Sequence, residues 1–338
     1  MRKRTQLRSS APIEVMANRE NYLYPIYVRQ GRSANKYKAG FINADGKTIV
    51  SPDYDDARPL SEGLALVQLG GKWGAIDTSG RMVIPCTHSG MGLRFSEGRV
   101  GFTVNARWGV LGRDGKVVVS PKYHAISDFS EGTAYVWDGK HYGFINTLGE
   151  EFIPLFFEDA REFRDGLAPV QLGGKWGYID RKASFVIQPR FDFALPLREQ
   201  LARVSMGGRW GPYGYIDPVG EFVIPVQYCD AFDFREGLAA VAPQSKGPWG
   251  YIDRSGKFVI QPAYRQEMPF SEGLAAVSPV AEKSKHFITR NGQRAFGGEY
   301  VGAECFDHER CLVSTLKTIA YIDPQGRTVW EGPYVSRV

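Results

Sequence analysis

A single glycine that returns at a nearly fixed interval constrains this 338-residue chain more than any other feature. Gly40, Gly74, Gly109, Gly143, Gly177, Gly214 and Gly250 follow one another at steps of 34 to 37 residues, and His286 and Ala320 hold the next two places in the series. A unit of about 35 residues is too small to bury its own apolar face, so it must share a core with its neighbours. The chain is therefore expected to hold one β domain of nine units over residues 22–338 rather than several separate domains.

The units predict strands. Each has a run such as Leu64–Val67, Leu238–Val241 or Leu274–Val277, then a run such as Trp176–Asp180 or Trp249–Asp253, then a third such as Lys257–Ile260. All three are short, apolar and rich in β-branched or aromatic residues. A shorter fourth strand is expected just before the Phe-Ser-Glu-Gly run, near Ala57–Leu60 or Met268–Phe270. Asp-x-x-Gly links the second and third runs at Asp77/Gly80, Asp217/Gly220, Asp253/Gly256 and Asp323/Gly326, with Asn43/Gly46 and Asn146/Gly149 as variants. The carboxylate or amide accepts backbone hydrogen bonds, and glycine supplies the positive φ of a tight hairpin. Ala183 stands where the fifth unit should have that glycine, which predicts local strain. A proline (Pro52, Pro85, Pro121, Pro154, Pro189, Pro225, Pro262) follows the third run, as suits a strand end or a sheet edge. The glycine after Trp is expected to let an aromatic ring of the neighbouring unit approach the backbone.

These residues, GKWGYID, then G-x-FVIxPxY, then FSEGLA, resemble the bacterial WG-repeat (KWG-repeat) family over about Leu23 to Trp330. The eighth unit departs from the pattern, with Phe287 after His286, and so does the ninth, with Ala320 for glycine. The resemblance implies a β-repeat fold and an interaction role, and it carries over no catalytic residues.

The fold class expected is thus all-β: nine tandem β-meander repeats in a propeller-like closed ring, with an open β-solenoid or superhelix as the alternative. Closure would use Tyr334–Val338 as the innermost strand that the first unit lacks.

Charge and cysteine narrow the function classes. The net charge of +5 is mild, and Arg2, Lys3, Arg4 and Arg8 lie in residues 1–21, read as a disordered basic tail. Neither nucleic acid nor membrane is an expected partner. A signal sequence is not visible, so the expected location is cytoplasmic, with signal-independent export left open. Cys86, Cys229, Cys305 and Cys311 form no CxxC pair and read as buried free thiols. Phosphate loops and nucleophile elbows are missing, and His88, His124, His141, His286 and His308 share no ligand spacing. No catalytic residue, metal site or cofactor is expected.

Two charged positions repeat with the unit. A cation precedes the Trp-Gly run at Lys72, Arg107, Lys140, Lys175 and Arg209, and an acid sits in the Phe-Ser-Glu-Gly turn at Glu62, Glu97, Glu131, Asp165, Glu236 and Glu272. Either set is a ladder of solvated charges and ion pairs between units, or a ring of like charge that holds a ligand. The loops before the Trp-Gly run are longest in units one, six, seven and eight. Their Arg32, Lys36, Lys38, Arg209, Lys246, Lys283 and Lys285 form a candidate basic arc, with Trp137 as an off-register exposed contact. Trp73, Trp108, Trp176, Trp210 and Trp249 recur at one place in the unit and are expected in packing. The function expected is non-enzymatic binding or scaffolding of a protein with an acidic surface. A cell-wall or glycan-binding module, and an enzyme with a site in the central channel, are the alternatives.

Overall fold

The computed structural model describes residues 22–29 and 37–333. All regular elements in it are strands, and they form eight antiparallel sheets standing as the blades of a β-propeller. The second unit gives the pattern. Strand a is Asp56–Ala57, strand b Leu64–Leu69, strand c Lys72–Asp77 and strand d Met82–His88, hydrogen-bonded in that order. The first unit supplies b, c and d, as Tyr24–Arg29, Tyr37–Ile42 and Thr48–Tyr54. Nine units occupy eight sheets because the d strand of the seventh, Phe258–Glu267, runs on unbroken. It pairs first with Trp249–Ile252 and then, as the a strand of the eighth unit, with Leu274–Pro279.

The ring closes through side chains between the ninth and first units. The Tyr321 hydroxyl donates to the Pro25 carbonyl at 2.9 Å, Tyr22 to Asp307 Oδ2 at 2.8 Å and Tyr24 to the His308 carbonyl at 2.6 Å. One apolar cluster joins Tyr321 to Leu23, Phe41 and, from the second unit, Ala57 and Val67. The expected closed ring is thus the fold, and the open solenoid is set aside. The closing segment Tyr334–Val338 and the tail 1–21 fall outside the described residues, as do Arg32 and Lys36.

The core lies between blades. Each cluster takes the face of one unit and the opposing face of the next, as where Leu66, Trp73 and Ala75 meet Phe95, Phe102 and Leu111. The phenylalanine of the Phe-Ser-Glu-Gly run is the key: Phe95, Phe163, Phe234, Phe270 and Phe306 are fully buried. In the last four of these it packs edge-to-face on the c-strand aromatic of the preceding unit. Phe144–Phe163, Tyr215–Phe234, Tyr251–Phe270 and Phe287–Phe306 have centroids 5.0, 4.9, 5.0 and 5.3 Å apart. Such a contact adds about 1 kcal/mol to the ~2–3 kcal/mol from burying the ring. Strand d alternates exposed and buried residues, as in Glu151–Phe157, and forms the outer edge.

The turn chemistry is as the sequence predicts. Asp77 Oδ1 accepts from the amides of Ser79 and Arg81, and Asp253 Oδ1 from those of Ser255 and Lys257. Ala183 is held at φ +59°, the left-handed conformation that glycine adopts elsewhere.

Three expectations are corrected. Of the two readings of the proline, the sheet edge holds and the strand end is overturned: strand d runs through it, on the outer edge, as a bulge. In the second unit Trp73 pairs with His88 and Ala75 with Ile84, so Pro85–Thr87 face Gly74 alone. That bulge, not a neighbouring aromatic, is why the position must be glycine. A Cβ on Gly74 would lie 2.4 Å from the Ile84 carbonyl oxygen, and one on Gly177 2.5 Å from that of Ile187. Among the cysteines, Cys311 is buried, Cys86 and Cys305 are half-buried, and Cys229 is exposed.

Candidate functional site

Strand direction gives the ring two faces. In the second unit strand b leaves the Ser61–Leu64 turn and ends at Gly70–Gly71, where strand c begins. Strand c ends in the Asp77–Gly80 turn. The b–c hairpins therefore gather on one face, and the a–b and c–d turns on the other.

On the turn face, Ser61 and Leu64 exchange both backbone hydrogen bonds around Glu62 and Gly63, at φ +51° and +76°. This two-residue turn of mirror-image geometry normally favours Asn or Gly at its first place. The acid is there for its reach. Glu62 accepts from the amides of Glu97 and Gly98 in the next unit, at 2.6 and 2.8 Å, and Glu97 from Gly132 at 2.7 Å. The relay continues through Glu131 to Gly166, Asp165 to Gln200, Glu199 to Gly237, Glu236 to Gly273 and Glu272 to Glu309. The acids expected either as a ladder of solvated charges and ion pairs between units or as a like-charge ring are hydrogen-bonded tethers between units, and Glu62 and Glu131 also pair with the next unit's Arg113 at 3.6 Å and Arg181 at 3.9 Å. The serine before them is a second tether, with Ser61 Oγ donating to the Phe95 carbonyl at 2.6 Å and Ser130 Oγ to that of Phe163 at 2.7 Å.

The hairpin face carries the candidate basic arc. Lys38 is taken up there: its ammonium lies 2.7 Å from Asp55 Oδ1, and that hydrogen bond, more than the amides of Gly70 and Gly71, holds the Asp55 carboxyl below the usual range. Lys175 pairs with Asp192 at the same place in the fifth unit. Arg209, Lys246 and Lys283 are exposed and Lys285 half-buried, on three successive units, and none of them forms an ion pair among the described residues. Trp137 is half-buried, stacked on Tyr142 at 5.9 Å and near His124 at 5.4 Å.

The tryptophans divide. Trp73 and Trp176 are buried, Trp108 and Trp249 half-buried, but Trp210 is 85% exposed. Its place in the core is filled by Tyr213, which pairs with Tyr228 as Trp176 pairs with Phe191. The longer hairpin between Ser205 and Tyr213 lifts Trp210 out to the loop tip, where the Arg209 guanidinium lies over its ring at 5.4 Å. Met206, in the same loop, is 51% exposed. The expectation that Trp210 packs inside is thus overturned. The signal was present: Gly214, not Gly211, keeps the register, so the Trp-Gly pair at 210–211 lies three residues early.

Among the described residues no three of His, Cys, Asp and Glu converge as a metal site, and no helix is long and apolar enough to cross a membrane.

A profile described as the WG containing repeat matches residues 40–73, 73–107, 108–136, 142–176, 176–210, 213–242 and 249–278. None of the curated proteins matches the chain. Among solved structures, a eukaryotic initiation factor superposes with a TM-score of 0.64 at 13% identity, covering 92% of this chain and 96% of the other. The dihydro-heme d1 dehydrogenase NirN in complex with DHE gives 0.48 at 14%, covering 83% and 76%. Virginiamycin B lyase from Staphylococcus aureus gives 0.36 at 13%, covering 69% and 91%. The first of these likenesses shows a shared fold and nothing further.

Proposed function

The chain belongs to the WG-containing repeat family, and we propose that it is a non-enzymatic cytoplasmic binding module whose hairpin face, at units six to eight, holds a protein with an acidic surface. The observation that carries this reading is Trp210, 85% exposed with Arg209 over its ring. A bare tryptophan at a loop tip costs about 2–3 kcal/mol of unburied apolar surface. Trp, Arg and Met are the residues enriched in the centres of protein interfaces. The unpaired charges of Lys246, Lys283 and Lys285 on the following units supply the surrounding field, which selects an acidic partner and speeds its approach.

A glycan reading would want a row of exposed rings. Of the five tryptophans in Trp-Gly pairs Trp210 alone is exposed, which favours protein.

The test is affinity capture from the native host with wild type, Trp210→Ala, and a variant with Arg209, Lys246, Lys283 and Lys285 changed to Glu. One acidic protein held by wild type, lost from both variants and rebinding as purified material is the expected result. Its affinity should fall as salt rises. A partner held equally by all three proteins overturns the assignment of this face.

A further inference from the structure

The turn face departs from its own repeat in one sector. Units two, three, four and eight carry Ser61, Ser96, Ser130 and Ser271 in the a–b turn, each donating to the phenylalanine carbonyl of the next unit. Units five, six and seven carry Arg164, Arg198 and Arg235 at that place. Three consecutive guanidinium groups thus stand where small tethers stand elsewhere. They line, together with the turn acids Asp165, Glu199 and Glu236, a shallow depression of about 400 Å³ floored by Leu197, Phe234 and Phe270.

The local carboxylates do not satisfy them. Glu162 Oε1 is shared at long range, 4.0 Å from Arg164 Nε and 3.7 Å from Arg198 Nη2. Asp233 faces a different arginine, Arg203, at 3.3 Å. The turn acids Asp165, Glu199 and Glu236 are drawn sideways onto the amides of Gln200, Gly237 and Gly273. The Arg235 guanidinium has no ion pair or hydrogen bond among the described residues, its turn bonds to Leu238 being backbone only, and Arg164 Nε is buried without a hydrogen-bond partner. Burial first, then repulsion from Arg164, pushes the Arg198 guanidinium below its usual range, with Arg235 adding to it against the pull of Glu162 and Asp233. Like charges held side by side with their forks unfilled are an arrangement that an oxyanion relieves. A planar fork matches the two oxygens of a carboxylate or a phosphoryl group.

We infer that Arg164, Arg198 and Arg235 form an anion-binding site on the turn face, built for the phosphate or carboxylate group of a small ligand. The site is independent of the protein-binding reading above, because it lies on the opposite face and shares no residue with it.

Calorimetric titration tests this with two probes, inorganic pyrophosphate and citrate. The variants are Arg198→Ser and Arg235→Ser, which restore the residue other turns carry and so are expected to fold, with circular dichroism as the check. Arg198→Lys keeps the charge and loses the fork. Wild type is expected to bind one probe saturably at sub-millimolar to millimolar concentration, and which probe it is separates a phosphoryl from a carboxylate ligand. Each Ser variant should weaken binding at least about tenfold, and Arg198→Lys by less. Trp210→Ala should bind the probe as wild type does. Saturable binding of neither probe, or equal binding by wild type and folded Arg198→Ser, overturns the proposal.

Discussion

Glu62 and Gly98 lie 36 residues apart, and the carboxylate of the first accepts the backbone N–H of the second at 2.8 Å. The contact explains a residue choice that local rules reject. Glu62 sits at φ +51°, a conformation that costs a side chain of its kind about 1 kcal/mol or more. Asparagine would tolerate the turn better but would reach the next blade without the carboxylate's charge. The strain is offset by a charge-assisted hydrogen bond that fixes the angle between neighbouring units.

That trade separates two substitutions at Glu97, which sits at φ +53° and bonds Gly132 at 2.7 Å. Glu97→Ala loses the tether and keeps the strain, and is expected to cost about 1–2 kcal/mol once solvent screening of this exposed turn is allowed for. Glu97→Gly loses the tether and relieves the strain, so its loss should be smaller. Equilibrium denaturation in urea reads both. Equal losses would show that the strain contributes nothing.

Positive φ and crowding are different reasons for glycine, and they predict different outcomes. Ala183→Gly removes a Cβ from a left-handed residue and is expected to stabilise by about 1 kcal/mol, less the entropy glycine adds to the unfolded chain. Gly177 is a different case, since its Cβ would lie 2.5 Å from the Ile187 carbonyl oxygen and 2.7 Å from Pro189 N. Gly177→Ala must open the bulge between strands c and d, at a cost of roughly 3 kcal/mol or more. Gly173, also left-handed at φ +61°, has open space around its Cβ, so Gly173→Ala should cost only about 1–2 kcal/mol. Thermal unfolding should rank Ala183→Gly as the most stable, then Gly173→Ala, then Gly177→Ala, and a silent Gly177→Ala would remove the bulge argument.

The repeat period, the strand types and the Asp-x-x-Gly turns were legible because they rest on local chemistry: strand periodicity, positive φ and side chains that bond their own turn. The purpose of the register glycine was not, because the atoms that exclude a Cβ belong to strand d of the same unit, about ten residues on, at a bulge that a linear reading takes for a strand end. The turn acids were read as charge alone for a similar reason. Their partners are amides, which every residue has and no sequence pattern marks. Trp210 was misplaced because a Trp-Gly pair was weighed more than the register set by Gly214. The basic arc was legible only in part. Lys38 shows that a loop cation can be spent on the connection beside it, here Asp55, while Arg209, Lys246, Lys283 and Lys285 are not.

Units five to seven place a tyrosine in strand c whose hydroxyl crosses to the next unit. Tyr178, Tyr215 and Tyr251 donate to the carbonyls of Leu195, Phe232 and Met268 at 2.8, 2.6 and 2.8 Å, and all three rings are buried. Burial pushes the Tyr178 and Tyr215 phenols well above their usual range, so these two stay protonated donors through any pH at which the fold survives. Tyr251→Phe keeps the ring and its 5.0 Å contact with Phe270 but leaves the Met268 carbonyl without that donor, and is expected to cost about 1–2 kcal/mol. Tyr251→Ala also loses the ring, for roughly 4 kcal/mol. A Phe variant as damaging as the Ala variant would mean that the hydroxyl, not the packing, joins the seventh unit to the eighth.

The hairpin turns contribute to the acid sensitivity of the fold. The Ser79 hydroxyl donates to Asp77 Oδ1 at 2.6 Å, and the Ser255 hydroxyl to Asp253 Oδ1 at 2.6 Å. These bonds, followed by the amide N–H groups of the same turns, hold both carboxyls below the usual 3.8. A carboxyl whose folded value is depressed binds fewer protons folded than unfolded. Its contribution is therefore complete above about pH 4 and is lost as pH falls through the lowered folded value. The stability of the ring, read as a urea midpoint, should thus be level from neutral pH down to about pH 4 as far as these turns are concerned, and then fall. Ser79→Ala and Ser255→Ala should each bring the neighbouring aspartate back toward 3.8, which carboxyl-carbon NMR reads directly, and should make the fall below pH 4 shallower while lowering the neutral plateau. Both effects are small, because the two turns are largely solvated, and they should add, since the turns belong to units two and seven. An unchanged titration of Asp77 in Ser79→Ala would assign the depression to the backbone amides alone.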